Sequence, residues 1–313
     1  FFRFVSSYVY SIVCLGVFFV DPPFGPCYLL GEMDEEKKRK RRVFAVDVGT
    51  SSIKGGIIDE EGKLVKWRKV PFGAPSAGEY RAWDPHRWLE TFRRLTSELG
   101  SEALKMLSAV SISGNGPSLV PVDEDGEALS EALLWLDGRA YTRKGGRSFF
   151  LPKAAWLAAE RPEVYEKCRF LLGCPEFIAY RLTGEAAAFT PSEEFLPYIW
   201  NAEELSVYEL DGEKFPGPLN TGTVLGKIHK AAAEDYGLPE GVPVVAGAAD
   251  FLMAQLGTAC VRPGRTCDRT GTSEGINCCS AEAVEHPRIR ILPHVIEGYY
   301  NAAGILSSTG MIF

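Results

Sequence analysis

The amino-acid sequence predicts an α/β fold, and three observations carry that prediction. Short apolar runs with strand character, separated by turn residues, cover residues 43–46, 53–58 and 63–70. A helical period of apolar residues then follows Asp84 and Pro85. Further strand-like runs at 107–113 and 242–246 flank a mainly helical middle. Strand-like and helix-like segments therefore alternate along the chain, as they do in α/β domains.

The opening segment predicts a β-meander whose first hairpin tip begins at Gly49. Asp84 and Pro85 predict a helix start, with Asp as the N-cap and Pro at the first helical position, and Gly100 predicts its end. The strand at 107–113 is interrupted by residues 114–117, which read Gly-Asn-Gly-Pro. This interruption lies at a strand end, where ligands usually bind in α/β sheets.

The middle of the chain predicts helices at residues 154–159, 162–168, 175–182 and 230–236. Residues 202–218 are polar and rich in turn residues, and their pattern does not resolve. The apolar strand at 242–246 leads to Asp250, and the runs at 266–270 and 276–279 predict a second hairpin. Asp250 is expected either to cap the following helix or to act as a catalytic carboxylate.

Composition predicts a soluble globular chain with room for two domains. It has 313 residues, 46% hydrophobic content and a net charge of −7. A negative net charge gives no overall electrostatic attraction for nucleic acid. Eight cysteines lack a Cys-x-x-Cys pair or a histidine at ligand spacing, so they are expected to be reduced thiols, and one of Cys278 and Cys279 is expected to face the core. The four histidines form no recognisable metal set, which argues against a metal-dependent hydrolase.

The first forty residues differ from the rest. Residues 4–20 are almost uncharged and apolar, and a basic string follows at 37–42. They predict either a short membrane anchor with its positive charge on the cytoplasmic side or a stretch upstream of the physiological start. We favour Met33 as that start, because it stands shortly before the first strand. A membrane partner is therefore not expected.

A Gly-Thr-Ser triplet occurs twice, each time between two strand-like runs. The two copies comprise Gly49, Thr50, Ser51 and Ser52, and then Gly271, Thr272 and Ser273. Glycine allows close backbone approach, so amides at such tips can point at phosphate oxygens while the hydroxyls add donors. Asp47 is placed either to orient a hydrated Mg²⁺ or to form a strand-end turn.

Four motifs in a fixed order resemble those of the FGGY family of carbohydrate kinases. They are Asp47-x-Gly49-Thr50-Ser51-Ser52-x-Lys54, Trp135-x-Asp137-x-Arg139-Ala140, the segment 244–250 that ends in Asp250, and Gly271-Thr272-Ser273. The resemblance runs from about Val43 to the last residue. It implies an actin-like, two-lobed ATPase-type fold with a ribonuclease-H-like sheet in each lobe, in which sugar and ATP meet in the cleft.

The resemblance also implies a division of the chain. Residues 1–42 are expected to be an extension outside the family, 43–254 the N-terminal sugar-binding lobe, and 255–313 the start of the C-terminal ATP-binding lobe. Only about sixty residues follow Asp250, so we expect an incomplete second lobe and no kinase activity from these 313 residues alone. The adenosine-binding residues are expected beyond Phe313.

The activity that the resemblance implies is ATP-dependent phosphorylation of a small sugar or polyol, with ATP and Mg²⁺ as cofactors and Asp250 as general base. Lys54 matches a basic position of the family, although strand alternation could equally direct it to solvent. Asp47 is the expected metal ligand. The remaining phosphate-binding residues are expected to be Gly49, Thr50, Ser51, Ser52, Gly271, Thr272 and Ser273. Expected substrate-binding residues are Trp83, Asn115, Asp137, Arg139 and Asp250.

The substrate stays open because the sequence departs from the family at the sugar site. Gly-Asn-Gly-Pro at 114–117 replaces the Gln-Met-His-Gly of xylulose kinases, and Ala82-Trp83 replaces Glu-Gln or Glu-His. A pentulose is expected by family frequency alone, and Trp135 and Asp137 have the alternative of a buried Trp beside a helix-capping Asp. The rival hypothesis is a non-catalytic sugar- or nucleotide-binding regulatory member of the actin-like superfamily. A cytoplasmic location is expected, and a homodimer is the oligomer to test.

Overall fold

A computed structural model describes residues 41–73, 82–135, 137, 146–270 and 274–306. In chain order its strands are β1 (Arg42–Val48), β2 (Ser52–Asp59), β3 (Leu64–Pro71), β4 (Ala82–Trp83), β5 (Leu107–Gly114), β6 (Val120–Val122), β7 (Ala132–Leu133), β8 (Phe170–Leu172), β9 (Ala188–Thr190), β10 (Pro218–Asn220), β11 (Val224–Lys227), β12 (Pro243–Ala249), β13 (Thr266–Thr270), β14 (Glu274–Ser280), β15 (Arg290–Pro293) and β16 (Tyr300–Leu306).

The helices of these residues alternate with the strands, as the sequence predicted. They are α1 (His86–Leu99), α2 (Ser101–Leu104), α3 (Leu151–Glu160), α4 (Pro162–Lys167), α5 (Cys174–Thr183), α6 (Ala202–Tyr208), α7 (Lys230–Tyr236) and α8 (Asp250–Gly257). Two 3₁₀ helices, Glu193–Tyr198 and Gly212–Lys214, complete the set. Within the described ranges, no helix is both long enough and apolar enough to cross a bilayer.

A six-stranded sheet in the order β11-β12-β5-β1-β2-β3 forms the centre of the part of the chain from β1 to β12, which we call the first region. Strands β1 and β2 pair antiparallel as the predicted hairpin, whereas β1 is parallel to β5 and β5 is parallel to β12. The apolar residues of β1 and β2 are buried, which explains their near-continuous hydrophobic sequence. The carboxyl ends of β1, β5 and β12 therefore lie along one edge of this sheet.

Helix α1 covers part of this sheet with the apolar face that the sequence predicted. Trp88, Phe92, Leu95 and Leu99 are buried in the main core, and the ring of Phe92 stacks on that of Phe44 at 6.1 Å. A second apolar cluster holds α3, α4 and α6 together around Trp200 and Phe215. The main core includes residues of β1, β5 and β12, the strands whose ends carry the candidate site.

A second sheet follows α8 and has the order β13-β14-β16-β15, with every neighbouring pair antiparallel. The predicted second hairpin is confirmed as β13 and β14, while the turn at 271–273 lies outside the described residues. Cys279 is buried and Cys278 is partly exposed, as predicted, and the six cysteines within the described ranges are free. Helix α8 packs on this sheet through Ala254, beside Cys267 and Cys279.

Candidate functional site

The candidate site lies at the sheet edge where β1, β5 and β12 end and β2 begins. In β1 Asp47 is paired in register with Lys54 of β2 and with Ser113 of β5. Ala249, the last residue of β12, pairs with Gly114 at the end of β5. Chain order alone does not make these residues neighbours, but the parallel pairing of the three strands does.

Asp47 and Lys54 form an ion pair at this edge. Lys54 Nζ lies 3.0 Å from Asp47 Oδ2, and the side chains are 14% and 4% exposed respectively. Ser113 Oγ lies 3.4 Å from Asp47 Oδ1 and 3.3 Å from the Val46 carbonyl oxygen. Of the two directions that strand alternation left open for Lys54, the structure thus has the one facing the site.

The Gly49 turn is braced by backbone hydrogen bonds. The amide of Gly49 donates to the Ser52 carbonyl at 3.0 Å, and a Cβ at Gly49 would approach that oxygen to 3.2 Å. Glycine is thus favoured here by close approach. The amides of Thr50 and Ser51 have no hydrogen-bond partner among the described residues, and Ser51 is exposed. The tip therefore keeps donors for an anionic ligand, although the Gly49 amide itself is occupied.

Asn115 connects the end of β5 to this turn. Its Nδ2 donates to the carbonyl oxygens of Gly49 at 3.2 Å and Val48 at 3.4 Å, and its backbone amide donates to Val48 at 2.7 Å. Its Oδ1 accepts from Ser118 Oγ at 2.6 Å, and the residue is 3% exposed. The side-chain amide of Asn115 is thus engaged in shaping the turn, and its role as a sugar ligand stays a prediction.

A backbone irregularity between Ala246 and Ala249 delivers Asp250 to the site. The register of β12 against β5 shifts there, and a Cβ at Gly247 would lie 2.0 Å from the Ile112 carbonyl oxygen. Only glycine permits this approach of the two backbones. Asp250 is the first residue of α8, and its Oδ1 accepts from the Phe251 amide at 2.7 Å. The carboxylate therefore contacts the helix start, while the N-cap position itself is Ala249.

Arg269 is a site residue that sequence analysis missed. Its Nη1 lies 3.3 Å from Asp250 Oδ2, and the two side chains are about a third exposed, at 31% and 32%. Strand alternation puts Arg269 on the same face of β13 as the buried Cys267, and it precedes Gly271 by two residues. Those two signals could have identified Arg269 as facing the site, although neither names Asp250 as its partner.

Opposing effects act on the pKa of Asp250. Partial burial, with about a third of the side chain still exposed, raises this pKa above that of an ordinary aspartate, and the negative charge of Asp47 adds to the rise. The guanidinium of Arg269 lowers it, with smaller lowering from the Phe251 amide and Lys54. The net direction is upward, which makes the carboxylate a stronger base than an exposed aspartate.

The predicted sugar-site residues are only partly described. Trp83 is 5% exposed, its ring lies 5.1 Å from that of Phe72, and its indole N–H has no hydrogen-bond partner among the described residues. Trp135 is packed beside Gly116, next to the Asn115 turn, and the Asp137 amide donates to the Leu134 carbonyl at 3.1 Å. The predictions for Arg139 and for Gly271, Thr272 and Ser273 lie outside the described residues.

The donors at Asp47 suit a metal that arrives with a phosphate ligand. In the described part of the chain, no group of three or more His, Cys, Asp or Glu side chains could hold a metal ion. Mg²⁺ commonly needs only one or two carboxylates, because water and phosphate oxygens fill its remaining positions. Asp47 supplies one such carboxylate beside Lys54, which fits Mg²⁺ that shares its ligands with a phosphate group.

Comparison with known proteins shows which family has this arrangement. Residues 43–144 and 147–257 match the family model described as the FGGY family of carbohydrate kinases, N-terminal domain. The chain is 25% identical over 298 residues to a xylulose kinase of Lactococcus lactis subsp. lactis, covering 86% of this chain and 59% of that protein. It is 27% identical over 312 residues to an autoinducer-2 kinase of Enterobacter sp. strain 638, covering 86% and 57%.

Solved structures share the fold. The xylulose kinase from Rhodospirillum rubrum superposes with a TM-score of 0.74 at 22% identity, covering 87% of this chain and 62% of that one. The Plasmodium falciparum glycerol kinase with ADP gives a TM-score of 0.73 at 16% identity and the same coverage. The predicted α/β, actin-like fold is thereby confirmed. The chain spans less than two thirds of the length of these relatives.

Proposed function

Because this chain belongs to the FGGY family of carbohydrate kinases, we propose that its full-length protein transfers the γ-phosphoryl group of ATP to a hydroxyl of a small sugar or polyol. The observation that carries this proposal is the convergence of Asp250 with the Asp47–Lys54 pair and the Gly49 turn at one sheet edge. Phosphoryl transfer requires a base for the attacking hydroxyl beside a site for phosphate and its counter-ions.

In the proposed reaction Asp250 accepts the proton of the substrate hydroxyl. The hydroxyl oxygen forms a bond to the γ-phosphorus, the bond from that phosphorus to the bridging oxygen breaks, and ADP leaves with the electron pair. The raised pKa of Asp250 supports this role, since a base works best when its pKa approaches the working pH. Its contact with the Phe251 amide is compatible with a simultaneous role at the helix start.

The phosphate chain of ATP would lie across the Gly49 turn. Thr50 and Ser51 supply amides and hydroxyls there, and Lys54 supplies a positive charge. The second turn, Gly271-Thr272-Ser273, would contact the phosphates from the opposite side. Asp47 would hold Mg²⁺ through water, and the ion would offset charge on the phosphate oxygens when bound.

The sugar would bind beside Asp250, with Trp83, Asn115, Asp137 and Arg139 as its candidate contacts. The buried indole N–H of Trp83 supports this assignment, because a buried donor that finds no partner among the described residues is costly unless a ligand satisfies it. A pentulose is the first class to test, and the similarity to xylulose kinases supports that choice. We further propose a cytoplasmic protein, with a homodimer as the oligomer to test.

The test is a phosphorylation assay of the full-length protein with ATP, Mg²⁺ and a panel of pentuloses, polyols and autoinducer-type substrates, paired with sugar-binding calorimetry. We expect saturable transfer to one class, and Asp250→Asn should reduce kcat by about a hundredfold or more while sugar affinity stays within about tenfold. Retention of more than about a tenth of kcat in Asp250→Asn would refute the general-base role.

Two further outcomes bear on the rival hypothesis. Tight sugar or nucleotide binding without transfer to any of the compounds would favour a non-catalytic regulatory protein. We also expect residues 33–313 alone to lack activity. Saturable phosphorylation by that segment, abolished by Asp250→Asn, would show that the first region and the β13–β14 hairpin are sufficient.

A further inference from the structure

The Asp250–Arg269 pair joins the two sheets at the candidate base. Asp250 follows β12 of the six-stranded sheet, whereas Arg269 lies on β13 of the four-stranded sheet. Arg269 Nη1 contacts Asp250 Oδ2, and the Phe251 amide contacts Asp250 Oδ1. Both carboxylate oxygens are thus fixed by donors, so the orientation of the group is set from two sides.

The residue paired with Arg269 on the neighbouring strand is a glycine, and the guanidinium lies where a side chain would otherwise be. Gly275 pairs with Arg269 across the β13–β14 hairpin, and a Cβ at Gly275 would lie 3.0 Å from Arg269 Nη2. A larger residue there would press on the guanidinium. Arg269 Nε is buried and has no hydrogen-bond partner among the described residues, so the contact with Asp250 leaves part of its donor capacity unused.

We propose that Arg269 is the positioning residue of the base: it orients the Asp250 carboxylate and balances its negative charge until the substrate hydroxyl delivers its proton. This inference rests on the proposed function. The proton moves from the hydroxyl to Asp250, and Arg269 keeps all of its own protons. The alternative is a purely structural link between the two sheets, which would hold the fold together without influencing the carboxylate.

The groups facing Asp250 come from several elements. Asp47 of β1 is the other acid and Lys54 of β2 the other cation, and the Phe251 amide belongs to α8 itself. The thiol of Cys174, at the start of α5, is close enough for Asp250 to contribute to the upward shift of its pKa. Among these groups Arg269 lowers the pKa of Asp250 most and so offsets part of the rise caused by burial. Its removal should therefore raise the pKa of Asp250 further.

The first measurement needs no activity. The carboxyl carbon of Asp250, assigned by comparison with Asp250→Asn, is titrated by NMR in the substrate-free full-length protein and in its Arg269→Gln and Arg269→Lys variants. We expect Arg269→Gln to raise the pKa of Asp250 by about one unit and Arg269→Lys to leave it nearer the wild-type value. Arg265→Gln is the matched control, because Arg265 is exposed and lies just before β13.

The second measurement is the pH profile of kcat/KM for the sugar identified in the substrate panel. The acidic limb should move to higher pH in Arg269→Gln, with kcat reduced about tenfold or more, and Arg269→Lys should recover most of the loss. An unchanged pKa of Asp250 in Arg269→Gln, or equal losses in both variants with a lowered melting temperature, would overturn the proposal. A wild-type protein that phosphorylates nothing would refute the proposed function while the NMR titration still decides whether Arg269 controls the carboxylate.

Discussion

The two hairpins of this chain carry similar Gly-Thr-Ser sequences in different surroundings. The β1–β2 hairpin lies inside a six-stranded sheet, and Val46, Val48 and Ile53 are fully buried. The β13–β14 hairpin lies at the edge of a four-stranded sheet, where Ile276 is 39% exposed. The strands that flank the first Gly-Thr-Ser sequence thus lie in a closed core, whereas those that flank the second, within the described residues, lie in a sheet with a partly exposed face.

The difference shows where the rigidity of the candidate site comes from. The first turn is held by residues distant in sequence, since Asn115 donates to Gly49 and Phe72 donates to Ser51. Among the described residues of the second hairpin, Arg269 contacts Asp250 of the site, and its side chain is partly exposed. We therefore expect the six-stranded sheet to contribute most of the stability, and Arg269 of the second hairpin to adjust the properties of Asp250.

A glycine from each sheet provides the strongest test of this contrast. Gly247→Ala should destabilise the protein by about 3 kcal/mol or more, because its Cβ would lie 2.0 Å from the Ile112 carbonyl oxygen. Gly304→Ala on β16 meets no atom within 4 Å and should change stability by less than about 0.5 kcal/mol. Urea unfolding of both variants measures the difference. Equal effects would show that the two sheets tolerate side chains alike.

Two buried asparagines separate turn shaping from structural support. Asn115→Ala should raise the KM for ATP about tenfold, since the Val48 and Gly49 carbonyls lose their side-chain donor. It should also raise the KM for sugar, because Asn115 is one of the proposed sugar contacts. Asn301→Ala in the second sheet removes a bond to Asn277 Oδ1 at 3.1 Å and should lower stability without altering either KM. Steady-state kinetics with both substrates distinguishes them. A rise in the KM for sugar alone in Asn115→Ala would show that Asn115 contacts sugar without shaping the turn.

Glu176 gives the first region a pH dependence of stability. Burial raises its pKa from 4.5 to about 7, and its Oε1 accepts from the Phe189 amide at 3.1 Å. Between pH 4.5 and about pH 7, Glu176 keeps its proton in the folded state but has lost it in the unfolded state. The free energy of unfolding therefore falls as the pH rises through this range.

Glu176→Gln cannot ionise, so we expect its melting temperature to exceed that of the wild type by a few degrees at pH 8 and to match it near pH 4.5. The control is Glu282→Gln, because Glu282 is exposed and lies beside the second sheet. Its melting temperature should change between pH 4.5 and pH 8 by the same amount as that of the wild type. Scanning calorimetry at both pH values measures the effect. A wild-type protein whose unfolding free energy stays constant between pH 4.5 and pH 7 would contradict the raised pKa.

Much of the fold could be predicted because local signals agreed with the tertiary structure. The apolar runs of the β1–β2 hairpin are present, and Asp84 Oδ1 accepts from the His86 amide at 3.0 Å near the predicted helix start. The helix itself begins at His86, so Pro85 and not Asp84 occupies the N-cap position. The sequence pattern of residues 202–218 predicts no element, yet they contain α6, whose Glu204 amide donates to Asn201 Oδ1 at 2.9 Å. That Asn-x-x-Glu spacing is a capping signal, but a seven-residue helix is too short for a clear apolar period.

The candidate site was less predictable, because its contacts depend on strands that are distant in sequence. Motif order selected Asp47 and Asp250, while the partner of Asp250 lies on another sheet and carries no motif of its own. Lys54 could not be oriented by alternation, since its direction is fixed by the carboxylate of Asp47 in the register of β1 and β2. Sequence patterns therefore selected candidate reactive groups, whereas the hydrogen-bond and ion-pair partners of those groups became visible only in the structure.

The position of β12 in the sheet also has a consequence for the order of folding. Strands β1, β2 and β3 pair with immediate neighbours in sequence, whereas β12 must find β5 across a long intervening segment. Contacts of such long separation form late, because the entropy of closing the loop opposes them. A nascent or partly unfolded molecule would thus form the Gly49 hairpin first and acquire Asp250 only when β12 docks. Hydrogen exchange should accordingly show β12 opening before β1, so the base would be lost while the Gly49 turn is still intact.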